Sequence, residues 1–111
     1  VQKVFALGPY QIKVEGVLLA KGPSNDHVSL SGNRIYFSGN NWRGIYFNNL
    51  NDGPSGTSVI ENCRFDNADK MDIPYQGGGA IAIYNSDNVV VRQSVFCLNR
   101  ARLGGAIYLE N

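Results

Sequence analysis

Threonine, histidine, methionine and tryptophan each occur once in the 111 residues, and cysteine occurs twice. One histidine and two cysteines, with no Cys-x-x-Cys, do not make a four-ligand zinc site. Two cysteines are also too few for a disulfide scaffold. Charged residues make up only 17% of the chain, below the usual quarter. The ten Lys and Arg nearly cancel the nine Asp and Glu, so the formal net charge is +1. That excludes nucleic-acid or acidic-membrane binding driven by bulk charge. No apolar run approaches the length of about 18 residues that a membrane-spanning helix needs. No secretory signal is visible, so the chain reads as mature or trimmed. No window sustains a helical apolar period over three turns, which predicts almost no helix.

What is present is 43% hydrophobic residues, enough for a real core in one domain spanning 1–111. Val, Ile, Tyr and Phe form short runs, and thirteen Gly and thirteen Asn recur between them. This is the composition of strands joined by tight turns. The runs repeat. Gly44-Ile45-Tyr46-Phe47-Asn48-Asn49, Ala80-Ile81-Ala82-Ile83-Tyr84-Asn85 and Ala106-Ile107-Tyr108-Leu109-Glu110-Asn111 superimpose, with spacings of 36 and 26. Val59 to Phe65 matches Val90 to Phe96 at a spacing of 31. Loops over Asn51–Gly56 and Asp69–Gly79 account for the longer intervals. Units of this length are too short for a helical crossover and too long for a hairpin, and they fit turns of a solenoid with strands stacked coil on coil.

Alternation assigns the faces. Ile45, Ile81 and Ile107 form one expected inward ladder, Phe47, Ile83 and Leu109 the next, and Phe65 and Phe96 stack on another wall. Tyr46, Ala82 and Tyr108 are expected to point outward, as are Asn48, Tyr84 and Glu110. Asn49, Asn85 and Asn111 follow the strands at one equivalent place. Asparagine tolerates the left-handed backbone of a sharp bend, and a stack of its amides would hold the register. Toward the N-terminus, Gln11–Glu15, Val17–Ala20, Val28–Ser31 and Arg34–Phe37 read as further short strands.

Gly78-Gly79-Ala80-Ile81 and Gly104-Gly105-Ala106-Ile107 spell GGAI twice, and Phe37 to Asn40 and Phe96 to Asn99 spell FxxN twice. These paired motifs resemble the repeat of polymorphic outer-membrane proteins. They also resemble repeats of secreted bacterial right-handed parallel β-helix proteins of the pectate-lyase-like superfamily. Val14 to Gly22, followed by Trp42 to Phe47, looks like the opening coils of such proteins. The likeness covers roughly residues 10–111 and departs at Phe65-Asp66-Asn67-Ala68, which lacks the final Asn. It implies an all-β, right-handed parallel β-helix of about three to four coils, export to the cell surface or medium, and a longer parent chain. It says little of function, because this fold hosts lyases, hydrolases, adhesins and spacers. The last strand shows no cap, so the chain is expected to be a fragment of a longer helix or to stack end to end with another copy.

Candidate sites are few. Cys63 and Cys97 fall three residues out of register, too far for the Cα separation of under about 7 Å that a disulfide needs. His27 stands in a turn with no nucleophile beside it and reads as a solvated turn histidine. Asp66, Asp69 and Asp72 form an acidic cluster that oxygen-loving calcium would suit, although Lys70 lies inside it and a plain polar loop is the stronger reading. The resemblance to β-helix pectate lyases, which use Asp-rich calcium sites with an arginine base, directs attention to Arg64 and Arg92. The Asn-Thr-Asp, paired-Asp and Gly-His-Gly motifs of polygalacturonases are missing, so no catalytic residue is assigned. Gly77-Gly78-Gly79 lacks the Lys-Ser/Thr of a phosphate loop and reads as a tight turn. Trp42, Tyr46, Tyr84 and Tyr108 are expected on one outward strip, with Arg43 beside them to hold an acidic sugar. Such a strip suits carbohydrate or a cell-surface protein, although tyrosine is also simply a good strand residue. The expected function is a non-enzymatic surface scaffold for adhesion or carbohydrate binding. The competing readings are a polysaccharide lyase or hydrolase with catalytic residues partly outside the chain, and a structural spacer.

Overall fold

The computed structural model describes residues 2–6, 8–22, 34–48, 56–73, 76–86 and 88–110. His27, Val28–Ser31, Asn49 and Asn111 lie outside the described residues. Regular structure among the described residues is all strand: β1 (Gln2–Ala6), β2 (Ile12–Val14), β3 (Leu19–Lys21), β4 (Ile35–Gly39), β5 (Ile45–Asn48), β6 (Ser58–Glu61), β7 (Cys63–Asp66), β8 (Ile81–Tyr84), β9 (Val89–Arg92), β10 (Val95–Cys97) and β11 (Ile107–Glu110). Among the described residues no helix is long and apolar enough to cross a membrane. β1 escaped the sequence reading, which began at Gln11.

The strands form three sheets, ordered β1-β4-β7-β10, β2-β5-β8-β11 and β3-β6-β9, and every pairing is parallel. The chain therefore visits the three sheets in turn and pairs each strand with the third one after it. The registers are those of the sequence repeats. Ile45 pairs with Ile81 and Ile81 with Ile107, while Val59 pairs with Val90 and Phe65 with Phe96.

Alternation within each strand does the sorting. In β5, Ile45 and Phe47 are fully buried while Tyr46 and Asn48 are half-buried. On the sheet of β4, β7 and β10, Phe37, Phe65 and Phe96 stack face to face, with centroids 4.8 and 5.1 Å apart and rings within 9° of parallel. That spacing is the strand separation itself, so identical residues in register stack without any adjustment of the backbone. Ile60 fills the centre from the third sheet.

The bends explain the asparagines. Asn62 and Gln93 follow paired strand ends with φ of 52° and 51°, and Asn67 and Leu98 do the same with 62° and 57°. Asn85 takes φ 53° after β8, and its N–H donates to the Glu110 carbonyl at 2.9 Å. The FxxN asparagine has a definite task. The Asn99 side chain accepts from the Ala68 N–H and donates to the Phe65 carbonyl, both at 3.0 Å, so it fastens one turn to the turn before it.

Three positions depart from the expected pattern of burial, each for a local reason. Trp42 is 2% exposed rather than outward. It precedes β5 at a corner, its indole packs beside Phe37 and Phe65, and its N–H donates to the Asp66 carbonyl at 2.8 Å. Ala82 does face outward, between Tyr46 and Tyr108 in register, yet it is buried, and Tyr84 on the same face meets both of those rings. Leu109 keeps the inward register of the buried Ile83, yet it is 69% exposed because β11 is the edge strand of its sheet.

Candidate functional site

Two surface features stand out, a strip of aromatic rings and a cleft lined mostly by polar side chains. The first lies on the outer face of β5, β8 and β11. Tyr46 and Tyr84 have ring centroids 5.3 Å apart and tilted by 39°, and Tyr84 and Tyr108 follow at 5.8 Å and 47°. The rings form a zigzag because Tyr84 stands one outward position further along its strand than its two neighbours. The missing ring at Ala82 makes room for it.

Each tyrosine hydroxyl is bonded within the chain. The Asn48 amide donates to Tyr46 Oη at 3.1 Å, the Gly77 N–H donates to Tyr84 Oη at 3.0 Å, and Tyr108 Oη donates to Glu110 at 2.9 Å. The bond to the Glu110 carboxylate raises the Tyr108 pKa. Gly77 borders the strip so closely that a Cβ there would collide with the Tyr108 ring. The glycine run is thus a close-approach device against the tyrosines, as well as a turn. Gly78 and Gly104, equivalent in register, take φ of 66° and 53° before their strands.

The second feature is a cleft of about 330 Å³ at a corner of the stack. Three successive levels of chain build it, contributing Pro9, then Asn40, Asn41 and Arg43, then Asp69, Met71 and Asp72. Backbone bonds lock the levels together, from Arg43 N–H to the Tyr10 carbonyl at 2.7 Å and from Asp69 N–H to the Trp42 carbonyl at 2.8 Å. The Arg43 guanidinium donates through both terminal nitrogens to the two Asp72 oxygens, at 2.5 and 2.8 Å. That fork is already filled, so Arg43 does not stand free for an acidic sugar. The sequence reading missed Pro9, Asn40, Asn41 and Met71 here. Carrying the Phe37–Phe65 register past the strands aligns Asn41 with Asp69, and that was the available signal.

The three aspartates do not converge. Asp66 is 8% exposed, accepts from the Tyr36 hydroxyl at 2.6 Å and pairs with Arg64 at 3.1 Å. This contact raises both the Tyr36 and the Arg64 pKa. Asp69 accepts from the Met71 N–H at 2.9 Å and lies 3.6 Å from Arg100, while Asp72 holds Arg43. Three carboxylates thus face three different arginines. Among the described residues no group of three His, Cys, Asp or Glu gathers as a metal site. Arg64 and Arg92 stand on different sheets, and Arg92 pairs with Glu61 at 2.5 Å.

Lys70, read as part of the acidic cluster, is fully buried instead. Its ammonium donates to the Gly77 carbonyl at 3.4 Å, and burial pushes its pKa down to about 8. Cys63 and Cys97 are both free, and burial pushes the Cys63 thiol up to about 11. Comparison with protein-family models, with curated proteins and with solved structures returned no match.

Proposed function

We propose that the three-sheet stack is a right-handed parallel β-helix and that it serves as a recognition scaffold. In this reading it is secreted or displayed on a cell surface, where it binds carbohydrate or a surface protein through its outer face. The observation that carries the reading is the Tyr46–Tyr84–Tyr108 strip. Its hydroxyls are engaged by the chain's own groups, so what the strip offers a partner is ring surface on a rigid sheet. Ring surface of that kind suits the C–H faces of sugars and the apolar patches of proteins. A strip held in register by backbone ladders is also preorganised, which lowers the entropy lost on binding.

The test is a glycan array run with and without calcium, repeated on a Tyr46→Ala/Tyr84→Ala variant. Binding by the parent that falls at least about tenfold in the variant, a change of about 1.4 kcal/mol, supports the strip. Equal binding by parent and variant, or no binding under any condition, overturns it.

A further inference from the structure

The corner cleft joins features that the tyrosine strip lacks: a shallow recess open to solvent, both signs of charge, amide side chains and two apolar side chains. Its volume of about 330 Å³ lies at the lower end for small-molecule sites, enough for one ring within the recess.

Its charges are balanced in place. Arg43 is matched by Asp72, and Asp69 has Arg100 at 3.6 Å. An entering anion meets two carboxylates and no unmatched guanidinium. An entering cation meets carboxylates that already hold arginines. Hydrogen-bonding capacity nevertheless remains. A carboxylate offers about four lone-pair directions and a guanidinium five N–H groups. The bonds to Arg43 and to the Met71 N–H use only part of them. Asn40 and Asn41 are exposed at the rim and add donors and acceptors. Pro9 and Met71 supply the apolar side, and Met71 is 38% exposed. A neutral molecule with adjacent hydroxyls on one edge and C–H groups on one face matches that combination. Each hydroxyl both donates and accepts, and bonds to ionised partners are the stronger kind.

We infer that this cleft is a binding site for a single neutral pyranose, separate from the tyrosine strip and selective against uronic acids. The inference shares with the proposed function only the ligand class, and its test separates the two. Asn41 is the most informative position. It holds φ at 56°, a conformation glycine adopts freely, so Asn41→Gly removes the amide without straining the turn.

The probes are methyl α-D-glucopyranoside, methyl α-D-mannopyranoside, methyl β-D-galactopyranoside and galacturonate. Each is titrated to about 50 mM into labelled protein, well above a Kd of about 1 mM, while backbone amide shifts are followed. At least one neutral glycoside is expected to move the amides of Asn40, Asn41 and Met71, and galacturonate is expected to bind at least about tenfold more weakly. Asn41→Gly and Asp69→Asn should each weaken the neutral ligand severalfold with the rest of the spectrum unchanged. Tyr46→Ala/Tyr84→Ala should leave these shifts as they are. Silence of the cleft amides toward every neutral glycoside overturns the inference, as does preference for galacturonate. Shifts abolished only by the tyrosine variant also overturn it, while leaving the strip as the binding face.

Discussion

Phe65→Ala is the sharpest test of how the stack is held. Phe65 is fully buried, with Phe37 on one side at 4.8 Å and Phe96 on the other at 5.1 Å, and Trp42 packs beside it. Removing a buried phenylalanine ring costs about 3–5 kcal/mol through lost burial and the cavity left behind. The two stacked contacts account for about 0.5–1.5 kcal/mol each of specific ring pairing. A cost near the top of the range, about 4–5 kcal/mol, is therefore expected. That is a large share of the roughly 5–15 kcal/mol by which small domains are stable. Phe96→Ala is the internal control. Phe96 belongs to the edge strand β10, is only half-buried and has one stacking partner in the column, Phe65, so about half the cost is expected. Trp42 is the only tryptophan and sits against the stack, so its fluorescence during urea unfolding reads the loss directly. Equal destabilisation by the two variants, or a Phe65→Ala cost below about 1 kcal/mol, far under the cavity range, would refute the reasoning.

Ile81→Asp places a carboxylate in register between Ile45 and Ile107 at a fully buried position, and circular dichroism of that variant should show an unfolded chain at room temperature. Gly44→Ala should lower the melting midpoint by several degrees, because Gly44 holds φ at 73° and an added Cβ would run into the carbonyls of Gly79 and Ala80. Lys70→Met should stabilise the protein at pH 7 by about 2 kcal/mol, with the advantage shrinking as pH rises from 8 toward 10.5. The folded lysine loses its proton near pH 8 and the unfolded one near 10.5, so between them the unfolded state binds more protons and parent stability gains with pH. Cys63 acts oppositely above pH 9, since its folded thiol stays protonated to about 11, but it is common to both proteins and drops out of the difference. A difference curve that stays flat from pH 7 to 10 would mean that the ammonium is not desolvated.

The registers of β5 with β8, β8 with β11 and β7 with β10 were legible because like residues recur at equivalent places, although the spacings differ. Ile over Ile over Ile, and Phe over Phe, need no knowledge of the loops between them. The corners were harder. Trp42 follows Asn41, whose positive φ turns the chain, so strand alternation no longer applies and the indole swings inward. Lys70 was read from its acidic neighbours in sequence. Its fate was set instead by the Gly77 carbonyl, seven residues on and brought near by the fold. The outward strip was read nearly correctly, and Ala82 shows why it is continuous: the small residue lets Tyr84 bridge the rings on either side. The cleft could not be read from any single segment, because its three levels come from three separate turns.

The two ends of the stack bear on whether copies would join. Strands β9, β10 and β11 are edges at one end, and β1, β2 and β3 at the other, all in one parallel sense. Among the described residues, the parallel sense of these edges would suit a second copy that continued the sheets. The side chains argue otherwise. Continuing the established registers sets Ile12 of the second copy over Ile107 and Val14 over Leu109, two favourable apolar pairs. The same registers set Glu15 over Glu110 and Lys21 over Arg92. Within the chain the corresponding column alternates, since Lys21 pairs with Glu61 and Glu61 with Arg92. Like charges directly opposite oppose pairing by about as much as good side-chain pairs favour it, about 0.2–1 kcal/mol each. A slip of one residue would relieve the repulsion but would turn Ile12 and Val14 away from the core face. Among the described residues, these like-charge pairs would therefore set themselves against the apolar pairs in any in-register pairing of two copies.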